Sequence, residues 1–592
     1  MPFLPLSMPD WFYRTLAQPW LFRLDDKVGR AVALGMIGNL GRFSAGRALI
    51  DLLGHMRPAD RLAITVQGQR FASPLGIGWR VDPECRATLA LSQFGAGFLV
   101  KCASNHLSVA REDDRKGVLL DILEKSASRI RDASTPLSIP VAVYSPGENA
   151  TLALPGDLTL PVALWSTPPS IAPQFKGGIV LQVGDLLQAG LWRVQSRHPS
   201  ALLEQVAAWR ASLGEAPLVV SDGISGPEDA VALVEAGATL LIVEAGLVYQ
   251  GPGLIKRCNE ALLSRLPTRE VRESEPFFRH AFVWVVLLGL ALLIGGVAAC
   301  LLAFTRVLLP YDENYIHLSS VQLQRAMPRL FAFMAHDRAT LAGVMIGLGG
   351  LYSTVGFNAV RRGVHGAKTA IAASALTGFA TFFSFFGFGY FDTLHAFVAA
   401  ILFQFTVQIL IGREGPLNER VLPIDRETRI WRRARWGELF WVIHGIGLII
   451  AGAVILLIGM SAVMVSEDLN FLCTTREAIG AIDPSLFAVI AHDRATLGGM
   501  LLASGVAMLL NVLWCFRRGR AWLWNAIFFL GAPAYSAAIG IHFFVGYTDW
   551  RHLAPAFAGF ILWATGLGLT RNYLCEPNDA ANAEVEGSGT DN

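Results

Sequence analysis

Leu330-Phe-Ala-Phe-Met-Ala-His-Asp-Arg-Ala-Thr-Leu-Ala-Gly343 returns 156 residues later as Leu486-Phe-Ala-Val-Ile-Ala-His-Asp-Arg-Ala-Thr-Leu-Gly-Gly499. A match of that length at one offset is the signature of a duplicated unit. It widens on both sides: Asp312 and Asn314 pair with Asp468 and Asn470, and Gly389-Tyr390, Asp392 and His395 pair with Gly546-Tyr547, Asp549 and His552 at offsets of 156 or 157. The duplicated region is poor in charge. Ala281 to Thr305 holds 25 residues without one charge, enough to cross a bilayer as a helix. Further charge-free stretches follow at about 339–360, 369–391, 393–412, 439–466, 495–516, 521–546 and 553–570, which predicts eight spans.

Eight spans in two copies means four helices per repeat. An even number keeps both repeats in one orientation, with a pseudo-twofold axis along the membrane normal. The connections 361–368, 413–438 and 517–520 carry thirteen Arg or Lys and the intervening ones seven. The excess marks the cytoplasmic side and places both termini there. The first residues, MPFLPLSMPDWF, have neither the basic flank nor the apolar core of a secretory signal. The tail at 572–592 is small, acidic and free of large apolar side chains after Leu574, which predicts disorder.

Over 592 residues, 53% are hydrophobic and 16% charged, with a mean hydropathy of +0.44. Soluble domains carry about 25% charged residues, so a large part of the chain is expected in lipid. A net charge of +2 gives no field to collect nucleic acid, and none is expected as a partner. Seven cysteines without a CxxC pair write neither a zinc site nor a disulfide framework and read as reduced fillers.

The shared polar residues form the candidate site of the membrane half: His336, Asp337, Arg338, Asp392 and His395, with His492, Asp493, Arg494, Asp549 and His552. The predicted topology puts them on the outer face at the helix mouths, where imidazole and carboxylate suit a metal, a quinone or an anion. Capping is the simpler reading. Asp337 is a good N-cap for a helix starting at Arg338 or Ala339, and Asp392 and Asp549 can open the next spans. Capping leaves the neighbouring histidines unexplained. The glycines around Gly343 and Gly499 suit close helix packing better than a pore. No family resemblance is evident in this half.

Residues 61–270 read differently. The runs Phe98-Leu-Val, Ile139-Pro-Val-Ala-Val, Leu160-Pro-Val-Ala-Leu, Gly178-Ile-Val-Leu, Leu218-Val-Val and Leu240-Leu-Ile-Val alternate with helix-like stretches, the pattern of a parallel β/α barrel. Pro217-Leu-Val-Val-Ser-Asp-Gly-Ile-Ser-Gly-Pro-Glu-Asp-Ala230, Leu240-Leu-Ile-Val-Glu-Ala-Gly246 and Tyr249-Gln-Gly-Pro-Gly-Leu-Ile-Lys256 resemble the closing part of dihydroorotate dehydrogenases, above all the membrane-associated, quinone-linked class. Trp20-Leu-Phe-Arg-Leu-Asp-Asp26 resembles that class's N-terminal helical region, which lies against the membrane and admits quinone. Ile64-Thr-Val-Gln-Gly-Gln-Arg-Phe-Ala-Ser-Pro-Leu-Gly76 resembles its opening hairpin and first barrel strand. The resemblance implies a (β/α)8 barrel, FMN as cofactor, and Gly223 and Gly246 in the turns whose amides bind the FMN phosphate.

Several family positions are changed. Where the family has A-A-G-x-D-K, with a lysine on FMN, stands Ile77-Gly-Trp-Arg-Val-Asp-Pro-Glu84. The S-P-N-T that bears the serine base has its nearest match in Ser145-Pro-Gly-Glu148, which puts Ser145 at the base and Gly147 where asparagine binds substrate. A second flavin lysine is replaced in the strand ending at Trp165, and Gly178-Ile-Val-Leu-Gln-Val-Gly-Asp185 lacks the N-T-T asparagine. Asp222 and Glu244 add carboxylates beside the phosphate turns, where they oppose a phosphate. The barrel is also tens of residues short of the family's length.

The expected organisation is a helical region at 1–60, a degenerate or truncated barrel at 61–270, membrane repeats at 281–412 and 439–571, a basic cytoplasmic linker at 413–438, and the tail. Two functions follow from the resemblance. One is a membrane-integrated FMN enzyme, with Ser145 as base, that oxidises a dihydroorotate-like substrate with quinone as acceptor, as in pyrimidine biosynthesis. The other is a flavin-less barrel that binds a ligand or protein and acts as a regulatory domain on a membrane unit in contact with lipid. The lost lysines and asparagines favour the second.

Overall fold

The computed structural model describes residues 12–54, 57–66, 69–78, 80–82, 86–102, 141–145, 162–166, 179–182, 200–215, 217–221, 223–266, 276–364, 366–382, 390, 393–415 and 428–575. The chain divides into two compact units, Met1–Pro267 with Val421–Ile424, and Thr268–Arg420 with Asp425–Asn592.

In the first unit, β1 (Ile64–Val66) and β2 (Gln69–Phe71) form the antiparallel hairpin. Seven parallel strands then close a barrel: β3 (Leu75–Ile77), β4 (Phe98–Cys102), β5 (Val141–Ser145), β6 (Val162–Ser166), β7 (Ile179–Gln182), β8 (Leu218–Ser221) and β9 (Leu240–Val243). Each of the six quoted runs overlaps one of these strands, and β3 supplies the first. An eight-stranded closure was expected; among the described residues β9 pairs directly with β3, so seven strands complete the ring. The period-2 pattern of a strand sorts the side chains. Phe98, Val100, Val219, Leu240 and Ile242 join Val66 and Phe71 of the hairpin in an inner cluster, while Leu99, Leu218, Val220, Leu241 and Val243 face an outer helical layer. Phe98 fills the lumen over Gly76, where an added Cβ would lie 2.1 Å from the ring, and meets Phe71 edge to face at 5.2 Å.

Helices α1 (Asp26–Arg42), α2 (Ser44–Gly54), α3 (Ser200–Leu213), α4 (Pro227–Glu235), α5 (Ala245–Gln250) and α6 (Gly253–Arg265) belong to the same unit. Asp25 caps α1 by accepting from the Lys27 amide at 3.0 Å. Cys258 on α6 is buried in the outer layer, and burial pushes its thiol up to about 12, which fits an inert filler. No disulfide links the cysteines at 258, 300, 473, 515 and 575.

The second unit is helical: α7 (Ala281–Thr305), α8 (Pro310–Tyr315), α9 (Ser320–Ala326), α10 (Pro328–Val355), α11 (Ala367–Phe382) and α12 (Thr393–Ile411), then α13 (Arg429–Met460), α14 (Ser466–Leu472), α15 (Arg476–Ile482), α16 (Ser485–Cys515), α17 (Ala521–Val545) and α18 (Trp550–Leu574). The order long, short, short, long, long, long occurs twice. Seven of these helices, among the described residues, are long and apolar enough to cross a membrane. At the eighth expected span, 369–391, α11 covers Ala367–Phe382 and 383–389 lie outside the described residues. Helix α10 packs on α17, and α16 packs on α11, so the central helix of each half lies on the third long helix of the other. Glycines permit the approach: a Cβ on Gly347 would meet the Leu530 carbonyl at 2.2 Å, and one on Gly499 the Thr381 hydroxyl at 2.1 Å.

Three helices begin about ten residues earlier than the charge-free windows indicate, α16 at Ser485 among them. Helix α10 starts at Pro328, with proline at its first position, and α13 at Arg429, capped by the Thr428 hydroxyl accepting from the Trp431 amide. Asp337 is therefore not a helix cap, contrary to expectation; it lies in the third turn of α10. A helix can carry charges through a buried stretch when each meets an opposite charge, and a scan for charge-free windows cannot register such pairing.

Candidate functional site

The duplicated polar residues meet each other across the two halves. Arg338 donates through Nε to Asp493 Oδ2 at 2.8 Å, through a terminal nitrogen to Asp312 Oδ2 at 3.0 Å, and to the Val307 carbonyl. Arg494 repeats the set: Asp468 Oδ2 at 2.8 Å, Asp337 Oδ2 at 3.4 Å, and the Val463 carbonyl at 2.7 Å. Val307 and Val463 stand at φ of 61° and 62°, a strained region for β-branched residues, and each offers its carbonyl to the arginine. The Tyr390 hydroxyl donates to Asp312, and that of Tyr547 to Asp468 at 2.9 Å. Asp312 and Asp468 also accept from the Leu309 and Val465 amides at the starts of α8 and α14, at 2.9 and 2.8 Å. All four motif carboxylates and both guanidinium groups are buried, so their charges are balanced by direct pairing.

The histidines lie beside this cage. His336 Nε2 is 3.0 Å from His542 Nε2, and His395 Nδ1 is 3.2 Å from His492 Nε2. His492 Nδ1 faces Asp493 at 3.2 Å, as His336 Nδ1 faces Asp337 at 3.2 Å. His552 Nδ1 lies 3.2 Å from the Tyr547 hydroxyl oxygen. Asp549 is the N-cap of α18, accepting from the Arg551 and His552 amides at 2.8 and 3.1 Å. Asp392 lies outside the described residues. The sequence reading did not select Asp312, Asp468, Tyr390 and Tyr547 as site residues, although their own recurrence was a usable signal. It missed His542 because the position has no histidine counterpart: the offset that pairs Tyr390 with Tyr547 puts Phe385 there.

At the barrel, Gly223 follows β8 with φ of 79°, a left-handed turn that favours glycine. Gly246 sits in the first turn of α5 against that loop, and a Cβ there would meet the Ile224 carbonyl at 1.9 Å. The N-terminal segment covers the adjoining chain: the Tyr13 hydroxyl donates to the Val248 carbonyl at 2.6 Å, and the Gln18 amide to the Tyr249 carbonyl at 3.0 Å. Ser145 is the last residue of β5, in register with Ser166 of β6, one row over from Tyr144 and Trp165, which are in register with Cys102 of β4. Asp222 lies outside the described residues.

Glu244 determines what the mouth of the barrel can accept. It follows Leu240 and Ile242 on the inward-facing parity of β9, and its buried carboxylate lies over Gly78 at the end of β3, where an added Cβ would be 2.2 Å from its Oε1. Arg80 pairs with it at 3.5 Å. The described residues therefore do not fit FMN as the family binds it, because a carboxylate occupies the mouth beside the glycine turns that would take a phosphate.

No protein-family model matches the chain. A dihydroorotate dehydrogenase (quinone) of Gloeobacter violaceus is 28% identical over 240 residues, 38% of this chain and 66% of that protein. One from Acidithiobacillus ferrooxidans is 23% identical over 45% of this chain and 98% of its own length, and one from Nostoc punctiforme 43% identical over 58 residues, 15% of its length. The match thus spans just under two thirds of the first relative and a small part of the Nostoc protein. A solved dihydroorotate dehydrogenase of Eimeria tenella, in complex with ferulenol, aligns with 35% of this chain and 85% of its own at 15% identity and a TM-score of 0.20. The resemblance of the N-terminal region to quinone-dependent dihydroorotate dehydrogenases holds, at an identity that fits a degenerate form.

Proposed function

We propose that this chain is a dihydroorotate-dehydrogenase-like barrel, stripped of its flavin site, that serves as a ligand- or protein-binding regulatory module on a two-repeat membrane unit. The observation that carries the reading is the Glu244 carboxylate over Gly78, held by Arg80. The missing flavin lysines at Ile77–Glu84 and Trp165 agree with it. Fold likeness alone would not assign an activity. The barrel and the C-terminal tail lie in the cytoplasm in this reading, with the arginine-rich 413–438 segment on the same side. Exposed Phe12, Leu16, Trp20, Phe22 and Met36 on the N-terminal helices suit contact with lipid.

A second reading, an FMN oxidoreductase with Ser145 as base and quinone as acceptor, draws support from the glycine turns at Gly223 and Gly246 and from the quinone-dependent relatives. The visible spectrum of the purified full-length protein separates the two. The regulatory reading expects a colourless preparation with no FMN uptake on titration, and Asp222→Gly combined with Glu244→Ser should raise FMN affinity by removing two opposing charges. A yellow wild-type protein with one FMN per chain would replace it by the oxidoreductase reading. For the topology, a cysteine placed at Arg429 should react with an impermeant maleimide only after the cells are opened; labelling of intact cells would reverse the assignment.

A further inference from the structure

Three histidines turn one ring nitrogen each toward a common space, and two of them have their other contacts outside it. His542 donates Nδ1–H to the Ala538 carbonyl one turn back, which leaves Nε2 as a bare lone pair, 3.0 Å from His336 Nε2. His336 has the Asp337 carboxylate 3.2 Å from Nδ1 and turns its Nε2 toward His542. Tyr547 gives its single hydroxyl proton to Asp468 at 2.9 Å, so its oxygen accepts from His552 Nδ1 at 3.2 Å, and the other nitrogen of His552 is left unprotonated. One ring nitrogen of each of the three lies within 4.8 Å of the others. Three imidazole nitrogens gathered this closely can share one cation.

We propose that His336, His542 and His552 bind one divalent transition-metal ion of the zinc class. Imidazole suits such ions, whereas calcium and magnesium take oxygen ligands. Zinc–nitrogen bonds of about 2.0–2.1 Å put tetrahedral donors roughly 3.4 Å apart, near the separation of the first pair. The partners behind the rings, Asp337, the Ala538 carbonyl and Tyr547, are of the kind that orient histidine ligands in metal sites. Three protein ligands leave a fourth position for water or a small ligand. The other half of the duplication is the internal control: it keeps the His395–His492 pair but has Phe385 in sequence where His542 stands. The site is thus specific to one of the two equivalent places.

The test uses the full-length protein in detergent, stripped with chelator and titrated with Co(II) while the visible d–d bands are followed, with Zn(II) counted by mass spectrometry after dialysis. The wild type should take up one ion per chain. His542→Phe, which installs the residue type of the other repeat, and His336→Gln should each weaken binding at least tenfold, whereas His395→Gln should bind as the wild type does. Should His542→Phe fail to fold, the wild-type stoichiometry and the His336→Gln and His395→Gln titrations decide. No uptake by the wild type, unchanged uptake in the folded His542→Phe or His336→Gln variants, or loss in His395→Gln would overturn the assignment.

Discussion

The barrel mouth and the interface of the membrane halves each bury a carboxylate against an arginine, and they do so differently. Arg80 pairs with Glu244 at 3.5 Å. Arg338 and Arg494 each fork between two carboxylates and a strained backbone carbonyl, and each links one half of the duplication to the other. Burying ions costs several kcal/mol apiece unless geometry and hydrogen bonds restore it, so a forked guanidinium with filled acceptors belongs to the architecture. A longer pair at the mouth of a barrel is the arrangement a ligand can rearrange. The contrast indicates that a repeated charge set forked across two halves holds the fold, and that the groups without that doubled pairing, the histidines in one unit and Glu244 in the other, are where chemistry is to be sought.

The sharpest test removes one arginine. Arg338→Met leaves Asp312 and Asp493 without their cation and should cost roughly 3–5 kcal/mol, with Arg494→Met matching it because its partners repeat. Thermal unfolding of the detergent-solubilised protein measures both. Glu244→Gln, at the looser pair, should lower stability far less. A neutral Arg338→Met, or arginine variants that differ several-fold in effect, would break the equivalence of the two halves.

The glycines come next, since both units use them for close approach. Gly246→Ala drives a methyl into the Ile224 carbonyl, and Gly347→Ala drives one into that of Leu530. Overpacking of this kind costs about 1–3 kcal/mol. Gly223→Ala, in left-handed backbone, should cost about 1 kcal/mol from conformation. If Gly246→Ala unfolds with wild-type denaturant dependence, the two glycine turns are not packed together and the barrel mouth is looser than its geometry indicates.

How much of this was legible in the sequence follows from where the information lies. Six strands of the barrel are short apolar runs readable from their own residues, and β3 came through the family resemblance; the closure by seven strands was not readable, because it depends on β9 meeting β3 across the whole ring. The duplicated motif identified the polar positions but not their purpose. Asp337 reads as a cap when α10 is taken to begin after its charges, and only the meeting of α10 with α16 supplies Arg494 to pair it. His542 was hidden for the opposite reason: recurrence cannot reveal a residue present in one copy alone. Glu244 was visible as a carboxylate near the phosphate turns, but its placement over Gly78 comes from the pleat of β9.

The smallest effect separates two aspartates of the same duplicated set. Asp549 caps α18 from the end of the helix, where its carboxylate meets two amides and the positive end of the helix dipole. Asp549→Ala should therefore cost only about 1 kcal/mol, and Asp549→Asn a few tenths, since asparagine caps nearly as well. Asp337→Ala strands Arg494 in a buried site and should cost several times more than Asp549→Ala. The ratio of the two, read from unfolding midpoints of the same preparation, measures the difference between a carboxylate that ends a helix and one that ties two halves together. Should Asp549→Ala prove as damaging as Asp337→Ala, its carboxylate would belong to the cage, and the division of the duplicated residues into caps and cross-links would have to be redrawn.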